Sequence, residues 1–283
     1  MSRPRHTPTV RLRRLAAELR HLRASTGLTR EEVGGQTNIN AATLYRIEYA
    51  KAKPQVRTLV ALLDAYNASD DQRAELLALL RESGERGWLQ RTDLPEPYSN
   101  YIYFESEASA LLDFEALFVP GLLQTEEYAR AVIRGTVPDL SKDEVENRVR
   151  ARLERQALLK RDEPLRLWAV VDEAVIHRRV GGRQVTHDQL AHLLACVEEP
   201  NITLQVIPYD AGAHPGMPGS FCILQYEPGN PDLIYAEGIA TDMFLEEESD
   251  IVRYTMAFEH LRAIAASPET TGHLLAAAVD ELK

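Results

Sequence analysis

The side chains best suited to recognising another molecule crowd into one stretch, TREEVGGQTNINAATLYRIEYAKAKP, from Thr29 to Pro54. Arg46 carries a planar fork of donors that matches the major-groove edge of guanine, a pairing that discriminates between bases by about 1–3 kcal/mol. Arg30 and Asn40 suit phosphate oxygens, the first by its charge and the second by side-chain and backbone donors. Ala41, Ala42 and Thr43 are short enough to touch thymine methyls, and Tyr45 can pack on a base or donate to a phosphate. On helical spacing alone, Tyr45 is as readily a partly buried core residue. Lys51, Lys53 and Arg57 follow as flanking cations that grip a nucleic-acid backbone without reading its sequence.

Such side chains need a frame, and the stretch supplies one. Thr29 with Glu32 three residues later has the spacing of a capping box, which opens a short helix. Val33 faces inward, and Gly34 with Gly35 leaves no side chain between crossing helices. Asn38 tolerates the positive φ of a turn. Ile39 plugs the core and Asn40 caps a second helix. On that helix Leu44 and Ile47 share the inner face, which turns Ala41, Ala42, Thr43, Tyr45 and Arg46 outward. The pattern is that of a helix-turn-helix whose second helix enters the major groove of double-stranded DNA.

Charge agrees with this reading. Residues 1–60 hold twelve Lys and Arg against Glu18, Glu31, Glu32 and Glu48, a net +8, so with the chain at −11 the rest carries −19. A basic module that meets phosphates and an acidic body that avoids them would divide this way. The competing explanation is a solvated basic face on an ordinary small helical domain.

The remaining sequence sets bounds. The 283 residues suffice for two substantial cores. No apolar run approaches the roughly 18 residues of a membrane span, and the basic start SRPRHTPTVRLRR lacks the apolar segment of a secretory signal. A cytoplasmic location is expected. Cys196 and Cys222 form no disulfide framework and read as buried small hydrophobes. Helices are expected over Arg11–Ser25 (closed by Gly27), Val56–Tyr66 and Asp70–Glu82. Residues 1–82 then make the first domain, and SGERGWLQRTDLPEPYSN (83–100) a linker anchored by Trp88.

Residues 101–283 read as an α+β domain with a small sheet. ESEASALLDFEALFVP gives a helix or extended start before the Pro120–Gly121 break. A helix runs from Thr125 to Gly135, and another over 141–161 with Ser141 as N-cap and Glu144 at the capping-box position. LRLWAVVDEAV, ITLQVIP, SFCILQY and DLIYAE read as strands. Further helices are expected at His187–Val197, Ser249–Ala266 and Glu269–Leu282. Catalysis finds little support: there is no P-loop, HExxH or dinucleotide fingerprint. Asp172, Glu173 and His177 resemble an acid/base cluster only superficially. His187 and His192, five apart, do not share a face for zinc. No catalytic residue, metal ligand or cofactor is assigned. The loop from Asp210 to Ser220 suggests a ligand pocket lined by Trp168, Tyr209, His214, Phe221, Tyr235 and Glu237, with ordinary core packing as the alternative for each aromatic.

Two resemblances sharpen these expectations. Residues 11–66, with their Arg46-Ile47-Glu48 ending followed by Lys51 and Pro54, resemble the Xre/Cro type of five-helix DNA-binding domain. Ala50 stands where that family often has glycine. The resemblance implies a structural pair between Arg23 and Glu48, and places Arg30 where family members use glutamine on a phosphate. The segments FVPGLLQTEEYARA, VVDEAVIHRRVGG, PNITLQVIPYDAGAHPG and PGSFCILQY resemble the C-terminal domain of Xre-type regulators of Streptomyces, including WhiJ-like proteins. That resemblance implies a transcriptional regulator of development or specialised metabolism, and repression is the expected direction of control. A homodimer on a pseudo-palindromic operator is expected, with the C-terminal domain sensing a small-molecule effector or a small protein encoded nearby. The alternative is an antitoxin-like interaction module that neutralises a small partner protein and regulates its own operon.

Overall fold

The computed structural model describes residues 8–83, 94, 96–238 and 242–283. The chain divides into two compact units, one comprising Met1–Gln90 and Glu227–Pro231 and one comprising Arg91–Tyr226 and Asp232–Lys283. In the first, five helices follow one another among the described residues: α1 (Val10–Thr26), α2 (Arg30–Thr37), α3 (Ala41–Glu48), α4 (Val56–Ala65) and α5 (Asp70–Glu82). Local chemistry sets most of their ends. Thr9, Thr29, Asn40 and Ser69 cap α1, α2, α3 and α5 with side-chain oxygens, each worth about 1 kcal/mol. Gly27 closes α1 at φ 73°, and Asn38 ends α2 at φ 58°, the turn its sequence position called for. Leu15, Leu19, Val33, Leu44, Leu59, Leu62 and Leu63 are completely buried in one core, at roughly 1.5–3 kcal/mol each.

One sequence expectation needs correction. Gly34 is required, because a Cβ there would lie 2.8 Å from the Ile39 carbonyl oxygen. Gly35 is not: a Cβ would meet nothing within 4 Å, and the residue faces solvent.

The second unit is a six-stranded mixed sheet with helices. In chain order its elements are α6 (Glu96–Ser106), β1 (Ala110–Glu115), α7 (Glu126–Thr136), α8 (Lys142–Arg155), β2 (Arg166–Asp172), α9 (Ala174–His177) and α10 (Arg183–Cys196). They continue through β3 (Ile202–Ile207), β4 (Phe221–Gln225), β5 (Leu233–Ala236), β6 (Met243–Leu245), α11 (Glu248–Ile264) and α12 (Pro268–Asp280). Strand order is β3-β2-β1-β4-β5-β6. The β1/β2 and β2/β3 pairs are parallel, and β4, β5 and β6 add antiparallel. Parallel neighbours need crossover connections, which α7–α8 and α9–α10 provide.

All four strands expected from sequence are present, and two more, β1 and β6, join them. β1 occupies the middle of the sheet, inside the segment whose start was left open between helix and extended chain. Helix α10 begins at Arg183, four residues before the expected His187, because Gly181 and Gly182 adopt positive φ and turn the chain there. The linker expected at 83–100 falls largely outside the described residues, as does Trp88, and its last five residues belong to α6. Phe114, Val170, Phe221, Ile223 and Ile234 pack against Phe258 and Leu261 of α11 on one face of the sheet. On the other face, Tyr101 of α6 lies against Tyr235 and Cys222. Both cysteines are buried free thiols. Among the described residues no helix is long and apolar enough to cross a membrane.

Candidate nucleic-acid interface

Helix α3 is held from beneath and open above. Leu44, Ile47 and Glu48 are buried, while Ala42, Thr43, Tyr45 and Arg46 are exposed and Ala41 is half-buried. Asn40 enters as the N-cap, its Oδ1 accepting from the Ala42 amide at 2.8 Å. Its amide group stays at the exposed entrance of the helix. The α2 N-terminus is fixed by a complete capping box between Thr29 and Glu32.

The orientation of α3 rests on charge as well as apolar packing. Glu48 is completely buried, and its carboxylate accepts from Arg23 Nε and from Arg30 Nε, both at 2.6 Å. Arg23 also reaches the Leu28 carbonyl at 2.9 Å, and Arg20 donates to the Glu48 carbonyl. Two guanidiniums on one carboxylate neutralise it with a positive charge to spare at the surface. Burial alone would lower the Arg30 pKa, but the hydrogen bond and charge of Glu48 outweigh it and leave the group above its ordinary value. The pairing of Arg23 with Glu48 is present as the family resemblance implied. The second arm, Arg30, was assigned only to phosphate; it is both an ion-pair partner and a group whose side chain remains 28% exposed.

Beside this clamp lies an aromatic and cationic surface. Tyr45 and Tyr49 have ring centroids 4.5 Å apart. Arg30 stands 5.4 Å from the Tyr45 ring, Lys51 4.8 Å from it, and Arg20 5.0 Å from the Tyr49 ring. Lys51 Nζ also donates to Tyr45 Oη at 3.1 Å. Tyr45 belongs to this surface and not to the core cluster. Arg20 and Tyr49 were missed from sequence, although Arg20 lies three residues before Arg23 and Tyr49 four after Tyr45, each on its neighbour's helical face. Arg46, Lys53 and Arg57 are exposed and make no ion pair or hydrogen bond with any described residue. After α3 the chain turns through Ala50 at φ 50°, the left-handed conformation that glycine serves in the resembling family.

The six residues proposed for a ligand pocket do not come together. Register explains why. Tyr235 pairs with Cys222, so the two share a face, and Phe221, one residue earlier, points the opposite way. Trp168 pairs with Leu112 and lies on the Phe221 side, bonded to Gln205 at 2.8 Å and covered by Arg262. Tyr209 is exposed and stacks on His177, and Glu237 is exposed beyond β5. His214 is buried against Phe114, with Nε2 3.3 Å from Asp172 Oδ2.

Within the apparent acid/base cluster Glu173 meets His177, and both carboxylates are taken up by backbone amides. Asp172 Oδ1 accepts from the Ala174 amide, and Glu173 joins His177 and the Tyr209 amide.

A helix-turn-helix domain family matches residues 14–76. No curated protein and no solved structure shows significant similarity to the chain. Residues 98–277, more than half of the length, match a domain of unknown function, DUF5753. The chain therefore belongs to the DUF5753 family and carries a helix-turn-helix DNA-binding domain ahead of that domain.

Proposed function

We propose that the protein is a sequence-specific transcriptional regulator, a repressor of the Xre and WhiJ-like kind, that binds a pseudo-palindromic operator as a homodimer. The observation that carries this reading is the outer face of α3, where Arg46 projects without any described partner while the inner face is locked through Glu48. A side chain kept free on a rigid helix is preorganised for a base edge. Arg46 reads guanine; Ala41, Ala42 and Thr43 line the thymine methyls; Asn40, Arg30 and Tyr45 meet phosphate at the groove wall; Lys51, Lys53 and Arg57 hold the flanking backbone. One recognition helix reads few base pairs, so two copies about 34 Å apart, or a multiple of that, are needed for operator selectivity.

The test is binding to the DNA upstream of the protein's own gene at two salt concentrations. Arg46→Ala should weaken that site by about 5- to 150-fold, equivalent to about 1–3 kcal/mol, and relax its sequence preference. Lys53→Ala should weaken all sequences alike and reduce the salt slope by about 1. An unchanged slope removes Lys53 from the phosphate contacts, and equal affinity for operator and random DNA removes the reading itself.

A second reading draws on the −19 carried beyond residue 60. In it, the acidic domain docks a small basic protein and DNA binding is autoregulatory. Tight capture of such a partner by a chain that ignores operator DNA would favour it.

A further inference from the structure

We propose that the second unit binds an organic cation, a ligand bearing an ammonium group, on the face of the sheet that carries Asp113. This residue stands on the central strand β1, paired with Ala169 on β2 and Cys222 on β4. Both neighbours are small, so the carboxylate is not overhung within the sheet. Asp113 is only 8% exposed, yet its side chain takes no hydrogen bond or ion pair from any described residue. A buried carboxylate left without a partner costs several kcal/mol to ionise. A recessed carboxylate that no described donor reaches calls for a physical reason.

The surroundings supply one. Arg155 of α8 is fully committed, with Nε and Nη2 on Glu105 at 2.6 and 2.7 Å and Nη1 on Tyr98 at 2.9 Å. Arg152 donates to Gln124 at 2.9 Å. Glu115, two residues along β1, shares the Asp113 face, and its own oxygen is held by Ser220. Tyr101 of α6 and Tyr235 of β5, ring centroids 4.3 Å apart, supply π surface on the same side, with Phe244 beyond them. Arg152 Nε is left without a described partner, but no described donor bonds Asp113, and a carboxylate beside aromatic rings fits an ammonium carried on an organic body. Among the described residues no group of three His, Cys, Asp or Glu could hold a metal ion, so a bare divalent cation lacks ligands here.

The electrostatics of the site agree with the geometry. Burial, then the charge of Glu105, pushes Asp113 up to about 7 despite the offsetting charge of Arg155. Burial and the charge of Asp113 raise Glu115 well above its ordinary value, against the opposing pull of Ser220 and Arg152. The Cys222 thiol and Tyr101 hydroxyl are likewise raised, by burial first, and stay neutral. Asp113 is therefore the acceptor that a bound cation would switch to its ionised form.

The site's use as an effector pocket rests on the regulator reading; the binding itself does not, and its test contains no DNA. Full-length protein is titrated calorimetrically with methylammonium, spermidine and phenethylammonium, and with neutral 2-phenylethanol as the matched control, at pH 6 and pH 8. About a tenth of Asp113 is ionised at pH 6 and about nine-tenths at pH 8, so an ammonium probe should bind about tenfold more tightly at the higher pH. Asp113→Asn should abolish both the binding and its pH dependence. That variant removes the cost of ionisation and stays folded, which circular dichroism checks. The proposal is overturned if no ammonium probe binds, if 2-phenylethanol binds as well as phenethylammonium, or if Asp113→Asn binds like wild type.

Discussion

Replacing Glu48 asks whether buried charge holds the recognition helix. Its carboxylate is wholly buried between Arg23 and Arg30, each bonded at 2.6 Å. Breaking a buried pair by removing one member costs roughly 3–5 kcal/mol, because the other charge is stranded. Here the stranded groups are guanidiniums whose side chains keep 18% and 28% of their surface. They rehydrate in part, which puts Glu48→Ala near the lower end, about 3 kcal/mol. Glu48→Gln keeps the shape and one acceptor and should cost about half as much. A domain of this size loses about 4–8 °C per kcal/mol. The transition of the first unit should therefore fall by about 12–24 °C in Glu48→Ala. Scanning calorimetry of the full chain measures the shift, and amide exchange assigns it to α3. A double-mutant cycle of Glu48→Gln with Arg23→Gln should return a coupling of at least about 1 kcal/mol. A shift below about 3 °C, or a coupling below about 0.3 kcal/mol, would mean that Leu44 and Ile47 orient α3 without help from charge.

Three further outcomes are expected. Gly34→Ala should destabilise by about 1–3 kcal/mol, since the Ile39 carbonyl must move. Gly35→Ala, in open space on the same helix, should stabilise by up to about 1 kcal/mol; chemical denaturation reads the opposite signs. Arg155→Met strands the fully buried Glu105 and should cost about 3–5 kcal/mol, most of it recovered by adding Glu105→Gln. Asp113 ionises at about 7 when folded and near 4 when unfolded, so the folded state binds the extra proton between those values. Stability should fall as pH rises from 4 to 7, by on the order of 4 kcal/mol, and level off above. Asp113→Asn should flatten that slope in urea titrations, and an unaltered slope would place its origin elsewhere.

What the sequence disclosed was mostly local. Caps at Thr29, Asn40 and Ser141, the turn at Asn38 and the buried face of α3 depend on neighbours within a few residues, and all are present. The strand β1 was obscured because the alternation in ALLDFE covers only Leu112, Asp113, Phe114 and Glu115, too short a run to decide between a strand and a helix. Asp113 and Glu115 share the face on which Tyr101 of α6 lies against Tyr235 and Cys222. β6 is three residues long, too short to carry a pattern. The pocket grouping failed for a different reason. A shift of one residue in register moves a side chain to the other face, and register between β4 and β5 is not written in either strand alone.

Three buried carboxylates separate structure from site by the number of cations each one holds. Glu48 has two guanidiniums, Glu105 has one in bidentate contact, and Asp113 has none. The first two are saturated, and losing their partners should read out as stability. Arg46 and Asp113 are the opposite case, ionisable groups on regular elements for which no described residue provides a counterion. Arg46 is exposed, so water serves it cheaply. Asp113 is 8% exposed, so ionising it costs more than in water until a cation arrives. A chain that pairs Glu48 and Glu105 so thoroughly yet leaves Asp113 alone in the middle of its sheet keeps an acceptor whose occupant comes from outside.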